Sequence, residues 1–191
     1  GIALGFWGGR QSMRPPGQDS AEVGFARDMA SHHAQAVTMA QLLYDRTDDP
    51  DMRILALDIM LTQQAQIGQM QGWLRVWSQP LSSAGPAMAW MGAPTTDLMP
   101  GMATVDDINR LRDLKGIEAD GLFLQLMIPH HRGGVAMANA VLDFTQQPEV
   151  IALARSIVNS QTSEIAYMQS LLQEKGFPPV PEEDQPMPNM P

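Results

Sequence analysis

MASHHAQAVTMA, from Met29 to Ala40, and MIPHHRGGVAMA, from Met127 to Ala138, decide the reading of this chain. The phrase Met-x-x-His-His occurs twice, 98 residues apart, and the 4 histidines of the protein all lie in these two copies. Around them the match extends without a gap from Phe25–Leu74 to Phe123–Leu172. Phe25/Phe123, Met29/Met127, Val37/Val135, Met39/Met137, Pro50/Pro148, Gln63/Gln161, Ile67/Ile165, Met70/Met168 and Leu74/Leu172 all coincide. A duplicated unit of this length is an antiparallel helix pair, and two pairs make a four-helix bundle. The predicted fold is therefore all-α, a ferritin-like four-helix bundle built from two repeated helical hairpins.

Helix boundaries are legible from the capping chemistry. Asp19-Ser20-Ala21-Glu22 reads as a capping box before the first helix. Asp49-Pro50 and Gln147-Pro148 place proline at the first turn of each repeat's second helix. Thr104-Val105-Asp106-Asp107 caps a short helix near 105–114, and Lys175-Gly176-Phe177-Pro178 is a stop signal. These signals divide the chain into a bundle over 20–175 (repeats 20–78 and 104–175) and a Met/Pro/Gly-rich linker over 79–103 expected to pack on it. Residues 176–191 read as a disordered, proline-rich tail. The apolar opening segment 1–19 reads as the remnant of a signal peptide or membrane anchor.

Composition narrows the function. The 191 residues carry a net charge of −9, which argues against a nucleic-acid or anionic-membrane surface. No cysteine is present, so disulfides, thiolate metal sites and cysteine nucleophiles fall away together. Methionine, by contrast, numbers 15. Its thioether is a flexible core filler and also a soft ligand that favours Cu(I).

Helical periodicity then places the histidines. Phe25, Met29, His32, Ala36, Met39 and Leu43 advance by alternate fours and threes, as do Phe123, Met127, His130, Gly134, Met137 and Val141. His32 and His130 thus lie on the inward stripe, and His33 and His131 about 100° further round. The partner helices carry Gln63 and Gln66, and Gln161 and Glu164, in their own seams. Folding each hairpin at its turn sets His32 level with Gln63 and Gln66, and His130 between Gln161 and Glu164. Met39 and Met137, about 10 Å along the axis from the inward histidines, belong to the core. Pro129, followed by Gly133 and Gly134, marks a helix either shaped around something at that point or eased for tight packing.

Two readings of this layer stand. It is either a buried hydrogen-bonded layer that sets helix register, or a metal site of the kind bundles build between facing helices. The candidate ligands are His32, His33, His130 and His131, with Met29, Met127, Met70, Met168 and Glu164 as additional or supporting donors. Imidazole with thioether favours copper, as Cu(I) over Cu(II), with zinc behind it. Affinity is expected to fall below about pH 6, where imidazole protonates. A di-iron site lacks its Glu-x-x-His pairs, and no hydrolase or phosphate-loop motif occurs, so an enzyme is the weaker expectation. Met88-x-x-Met91, Met99-x-x-Met102 and Met187-x-x-Met190 form a second candidate surface, read in the linker as an apolar strap.

Phe-x-x-x-Met-x-x-His-His-x-x-x-Val-x-Met-Ala, seen twice, resembles a CopM-like family of exported bacterial proteins that carries a domain-of-unknown-function name. Gln161, Glu164, Ile165 and Met168, and the Met99-Pro100-Gly101-Met102 approach to the second repeat, extend the likeness over about residues 20–175. The resemblance implies a ferritin-like bundle and a secreted, periplasmic or membrane-anchored extracellular location. For some members it also implies copper binding and copper tolerance. A metal ion and a copper-handling protein are the expected partners. The chain departs from the pattern at Gln66, where glutamate is expected, so the first half-site is expected to bind metal less tightly than the second, or not at all.

Overall fold

A computed structural model describes residues 15–182. Most of the opening segment and the Met187/Met190 pair lie outside the described residues. The chain forms α1 (Ala21–Tyr44), α2 (Pro50–Val76), α3 (Val105–Asp113), α4 (Gly116–Phe144) and α5 (Pro148–Glu174), with one 3-10 turn at Ala89–Met91 in the linker. Among the described residues, no helix is long and apolar enough to cross a membrane.

Capping sets the helix starts. At α2, Asp49 Oδ1 accepts from the Asp51 and Met52 amides at 2.8 and 3.4 Å, and Pro50 opens the helix where no amide partner is needed. Pro148 does the same for α5. Thr104 and Asp107 form a reciprocal capping box on α3. The box expected at Asp19–Glu22 is not made. Ser20 is the cap, accepting from the Val23 amide at 3.3 Å, and Glu22 instead accepts a 2.8 Å bond from the Thr145 hydroxyl.

That bond also orients the bundle. It ties the start of α1 to the end of α4, while the Gly116 amide donates to the Arg46 carbonyl at 2.8 Å at the opposite end. The central pair α1 and α4 is therefore antiparallel. α2 flanks α1 and α5 flanks α4, and α2 and α5 approach one another only marginally.

The apolar core is in two halves. One joins Phe25, Met29, Met70 and Leu74 to Met137, Val141 and Ile157, and the other joins Met39, Leu43, Met52 and Ile59 to Phe123, Met127, Met168 and Leu172. Each half takes residues from both repeats, because antiparallel packing sets the early part of α1 beside the late part of α4.

The linker is strapped across the bundle. Asp28 Oδ2 accepts from the Met88 amide at 2.8 Å and from Trp90 Nε1 at 2.9 Å, and Trp90 meets Phe25 edge to face. Met88, Met91 and Met99 are buried beneath it. Further along, Gln35 grips the Ala103 backbone twice, donating to its carbonyl at 2.9 Å and accepting from its amide at 2.7 Å.

The disordered tail expected from Gly176 does not begin there. Gln169 pairs with both backbone groups of Val180, at 2.6 and 3.1 Å, Arg132 donates to Val180 and Pro181, and Phe177 fits against Gly121. Proline stops the helix, but the segment still has carbonyls and an aromatic ring with which to dock.

Candidate metal centre

All four histidines are fully buried, and they occupy the level that separates the two halves of the core. Helix periodicity brings His32 and His130 inward from α1 and α4. Their rings face each other across the repeat boundary with centroids 3.8 Å apart and a tilt of 35°. The flanking histidines turn to the outer helices. His33 Nε2 meets Gln66 Oε1 at 2.7 Å, and His131 Nε2 meets Glu164 Oε2 at 2.5 Å. Pairing within each hairpin is thus made by the second histidine of each phrase. The alignment that set His32 and His130 level with those residues found the layer and left open which ring each helix receives.

The inward pair has backbone partners. His32 Nε2 lies 3.1 Å from the Pro100 carbonyl, and His130 Nε2 lies 3.0 Å from the carbonyl of His32 itself. Pro100 was invisible to periodicity because it belongs to the linker. Its sequence signal was Pro129-x-x-x-Gly133, which foretold a close approach without saying by what. A Cβ on Gly133 would sit 2.0 Å from the Pro100 carbonyl oxygen, and one on Gly101 (φ +76°) would sit 2.0 Å from the Pro129 carbonyl oxygen. Glycine on both sides lets the linker turn touch α4.

These contacts settle the tautomers. Carbonyl oxygens offer no proton, so Nε2 of His32 and of His130 carries the hydrogen and donates. The same tautomer follows for His33 from the amide oxygen it faces. Nδ1 is then a bare lone pair on His32, His33 and His130, and none of the four Nδ1 atoms has a hydrogen-bond partner. Neither amide atom of Gln63 or of Gln161 has one either. Buried acceptors without partners cost about 1–3 kcal/mol each, so the layer is built at a loss unless something else meets those lone pairs.

Burial also determines charge. Desolvation, with the repulsion of His131 beside it, lowers the pKa of His32 to about 4 despite the Pro100 bond. Desolvation and the neighbouring His32 lower that of His33 to about 3, and His130 is pushed well down for the same reasons. These imidazoles are neutral, the form that binds a metal, well below pH 6. The fall in affinity expected below pH 6 assumed ordinary imidazoles, whereas burial keeps His32, His33 and His130 neutral into more acid conditions.

Donor chemistry suits a soft ion. Met29, Met70 and Met137 lie in one half of the core and Met39, Met127 and Met168 in the other, all fully buried. Glu164 is the carboxylate that touches the layer, and among the described residues no three His, Asp or Glu side chains, the four histidines included, converge on one point as they stand, so an ion held here needs thioether donors or turned rings. A hard, oxygen-rich cation site is not what this arrangement offers. Nitrogen and sulfur donors fit Cu(I) better.

Two antiparallel hairpins closed on a buried histidine–glutamine layer define an all-α bundle of the kind that places cofactor and metal sites between facing helices. The chain belongs to the DUF305 family, described as Domain of unknown function (DUF305), whose profile matches residues 22–172. It is similar to a DUF305 protein of Streptomyces coelicolor described as a candidate secreted protein, with 48% identity and a TM-score of 0.81 over 84% of this chain and 97% of that one. A DUF305 fragment from Deinococcus radiodurans is 39% identical, TM-score 0.68, over 81% and 96%. CopM in its Cu(II)-bound form is 29% identical, TM-score 0.66, over 81% and 97%, and its Cu(I)-bound form is 26% identical, TM-score 0.61. Uncharacterized protein L153 of Acanthamoeba polyphaga mimivirus is 38% identical over 50 residues, which is 26% of this chain and 33% of that protein.

Proposed function

We propose that this protein is an extracytoplasmic metal-binding protein that holds copper, as Cu(I) in preference to Cu(II), for sequestration or delivery. The observation that carries the reading is the set of four buried Nδ1 atoms without partners at one level of the bundle. His32, His33, His130 and His131 are the proposed ligands. Met29, Met70, Met127 and Met168 supply thioethers from above and below, and Glu164 orients His131. The likeness to CopM, solved with Cu(I) and with Cu(II), supports copper over zinc. The candidate secreted relative supports a place outside the cytoplasm, where a copper-handling protein is the natural partner.

Anaerobic titration with Cu(I) against a competing chromogenic chelator tests this, with a folded His32→Ala/His130→Ala variant beside the wild type. Tight binding that collapses in the variant is the expected result. Equal binding by both proteins returns the histidines to the core.

A second reading rests on the Nε2 contacts. His33–Gln66, His131–Glu164 and His130 to the His32 carbonyl each join two helices, which is what a register-setting layer needs. It predicts that the double variant loses stability while metal has no effect on either protein.

A further inference from the structure

The histidines are fully buried, so a cation needs a way to them. On the α1/α4 side the way is covered. Pro100 lies on His32, and Gln35 holds Ala103, three residues further on, by two hydrogen bonds. On the α2/α5 side the two hairpins part and leave a cleft of about 280 Å³. Asp51 and Asp58 of α2 line it, facing Ser163, Glu164 and Tyr167 of α5.

Two features of this cleft point to a cationic visitor. Its lining holds three carboxylates and no basic residue, and among the described residues neither Asp51 nor Asp58 pairs with a lysine or arginine. Its inner wall is also connected to the layer. Glu164 has 27% of its side chain exposed, yet its Oε2 is 2.5 Å from His131, whose side chain is wholly buried and whose Nδ1 has no partner. Glu164 is thus a carboxylate with one side toward the cleft and the other on a buried imidazole.

The repeat provides an internal comparison. Shifting the register by 98 residues turns Asp58 into Ser156, Glu164 into Gln66 and Tyr167 into Gln69, and of the three carboxylates keeps only Asp51, as Glu149. The duplicated half of the α2/α5 boundary therefore lacks the carboxylate at the histidine and one of its two neighbours. Packing alone gives no reason for an acid to stand in one copy of an otherwise matched layer.

We infer that the cleft between α2 and α5 is the entry for a soft monovalent cation, with Asp51 and Asp58 drawing it in and Glu164 passing it to His131, so that loading proceeds through the second repeat. The inference rests on the metal-binding reading above. An acidic cleft with apolar walls concentrates cations and raises their on-rate in a way that salt screens. Glu164 exchanges its bond to His131 for the incoming ion, which frees that imidazole to turn.

The test is the rate at which the full chain loads with Ag(I), a redox-inert probe, in chloride-free buffer. Samples are quenched at millisecond intervals with excess thiol, and protein-bound silver is counted after gel filtration. Asp51→Asn/Asp58→Asn is expected to load about tenfold more slowly at low ionic strength, with a difference that shrinks in high salt and an unchanged final silver count. Glu164→Gln keeps an acceptor for His131 and is expected to stay slow in high salt as well. Wild-type rates in both variants, with faster loading in Gln35→Ala, would overturn the inference and assign entry to the strap side. A wild-type protein that retains no silver at the endpoint would defeat the metal-binding reading itself, a result distinguished from failure of the entry route because it appears in the count and not in the rate.

Discussion

His32 and His130, equivalent residues of the two repeats, meet ring to ring at 3.8 Å, and the Nε2 of His130 lies 3.0 Å from the backbone carbonyl of His32. The contact joins the hairpins at the middle of their shared interface. It places two neutral imidazoles where the core would otherwise be continuous.

Keeping these imidazoles neutral couples folding to pH. His32 and His33 have pKa values of about 4 and about 3 in the folded chain against 6.5 when exposed. Below pH 6.5 the unfolded chain takes up protons that the folded chain refuses, so stability is complete above that pH and falls as pH drops toward 4 and 3. The slope approaches about 1.4 kcal/mol per pH unit for each group. Urea unfolding of the metal-free protein at pH 7.5, 6 and 5 measures it, and flat stability over that range would contradict the buried neutral layer.

Gly133→Ala directs a methyl into the Pro100 carbonyl, which is backbone and cannot rotate away. A loss of about 1–3 kcal/mol is expected, together with release of the linker. Gly68→Ala in α2, where nothing lies within 4 Å, is the control and should be stabilising by up to about 1 kcal/mol. Equal effects from the two substitutions would show that the strap is not held at this point.

Met127→Leu and Met29→Leu separate packing from ligation. Both side chains are fully buried, and a volume-conserving exchange costs less than about 1.5 kcal/mol. If the thioethers hold Cu(I), its affinity drops while the melting temperature barely moves. Calorimetric melting beside a Cu(I) competition assay gives both numbers, and unchanged affinity removes these residues from the ligand set.

Gln66→Glu gives the first repeat the carboxylate that the second already has. His33 would then face an acid as His131 does, and its pKa should rise from about 3. A harder donor at the layer should also shift metal preference from Cu(I) toward Cu(II). Imidazole NMR titration reads the first effect and paired Cu(I) and Cu(II) competitions the second.

The sequence by itself determined the helices, their pairing into two hairpins and the existence of a polar layer. All of these follow from local rules: a repeat in constant register, proline and Asp49 at helix starts, and the 3.6-residue period that turns His32 and His130 inward. What a period does not contain is the relation between one helix and another. Only the tertiary structure decided that the inward histidines face each other, that His33 and His131 take Gln66 and Glu164, and that methionines of both repeats share each half of the core. The crossing of α1 and α4 sets those distances, and that crossing depends on packing over the whole length of both helices. The Pro100 carbonyl on His32 is the clearest case. Sequence showed glycines making room, and the fold brought in a linker residue 68 positions away to fill it.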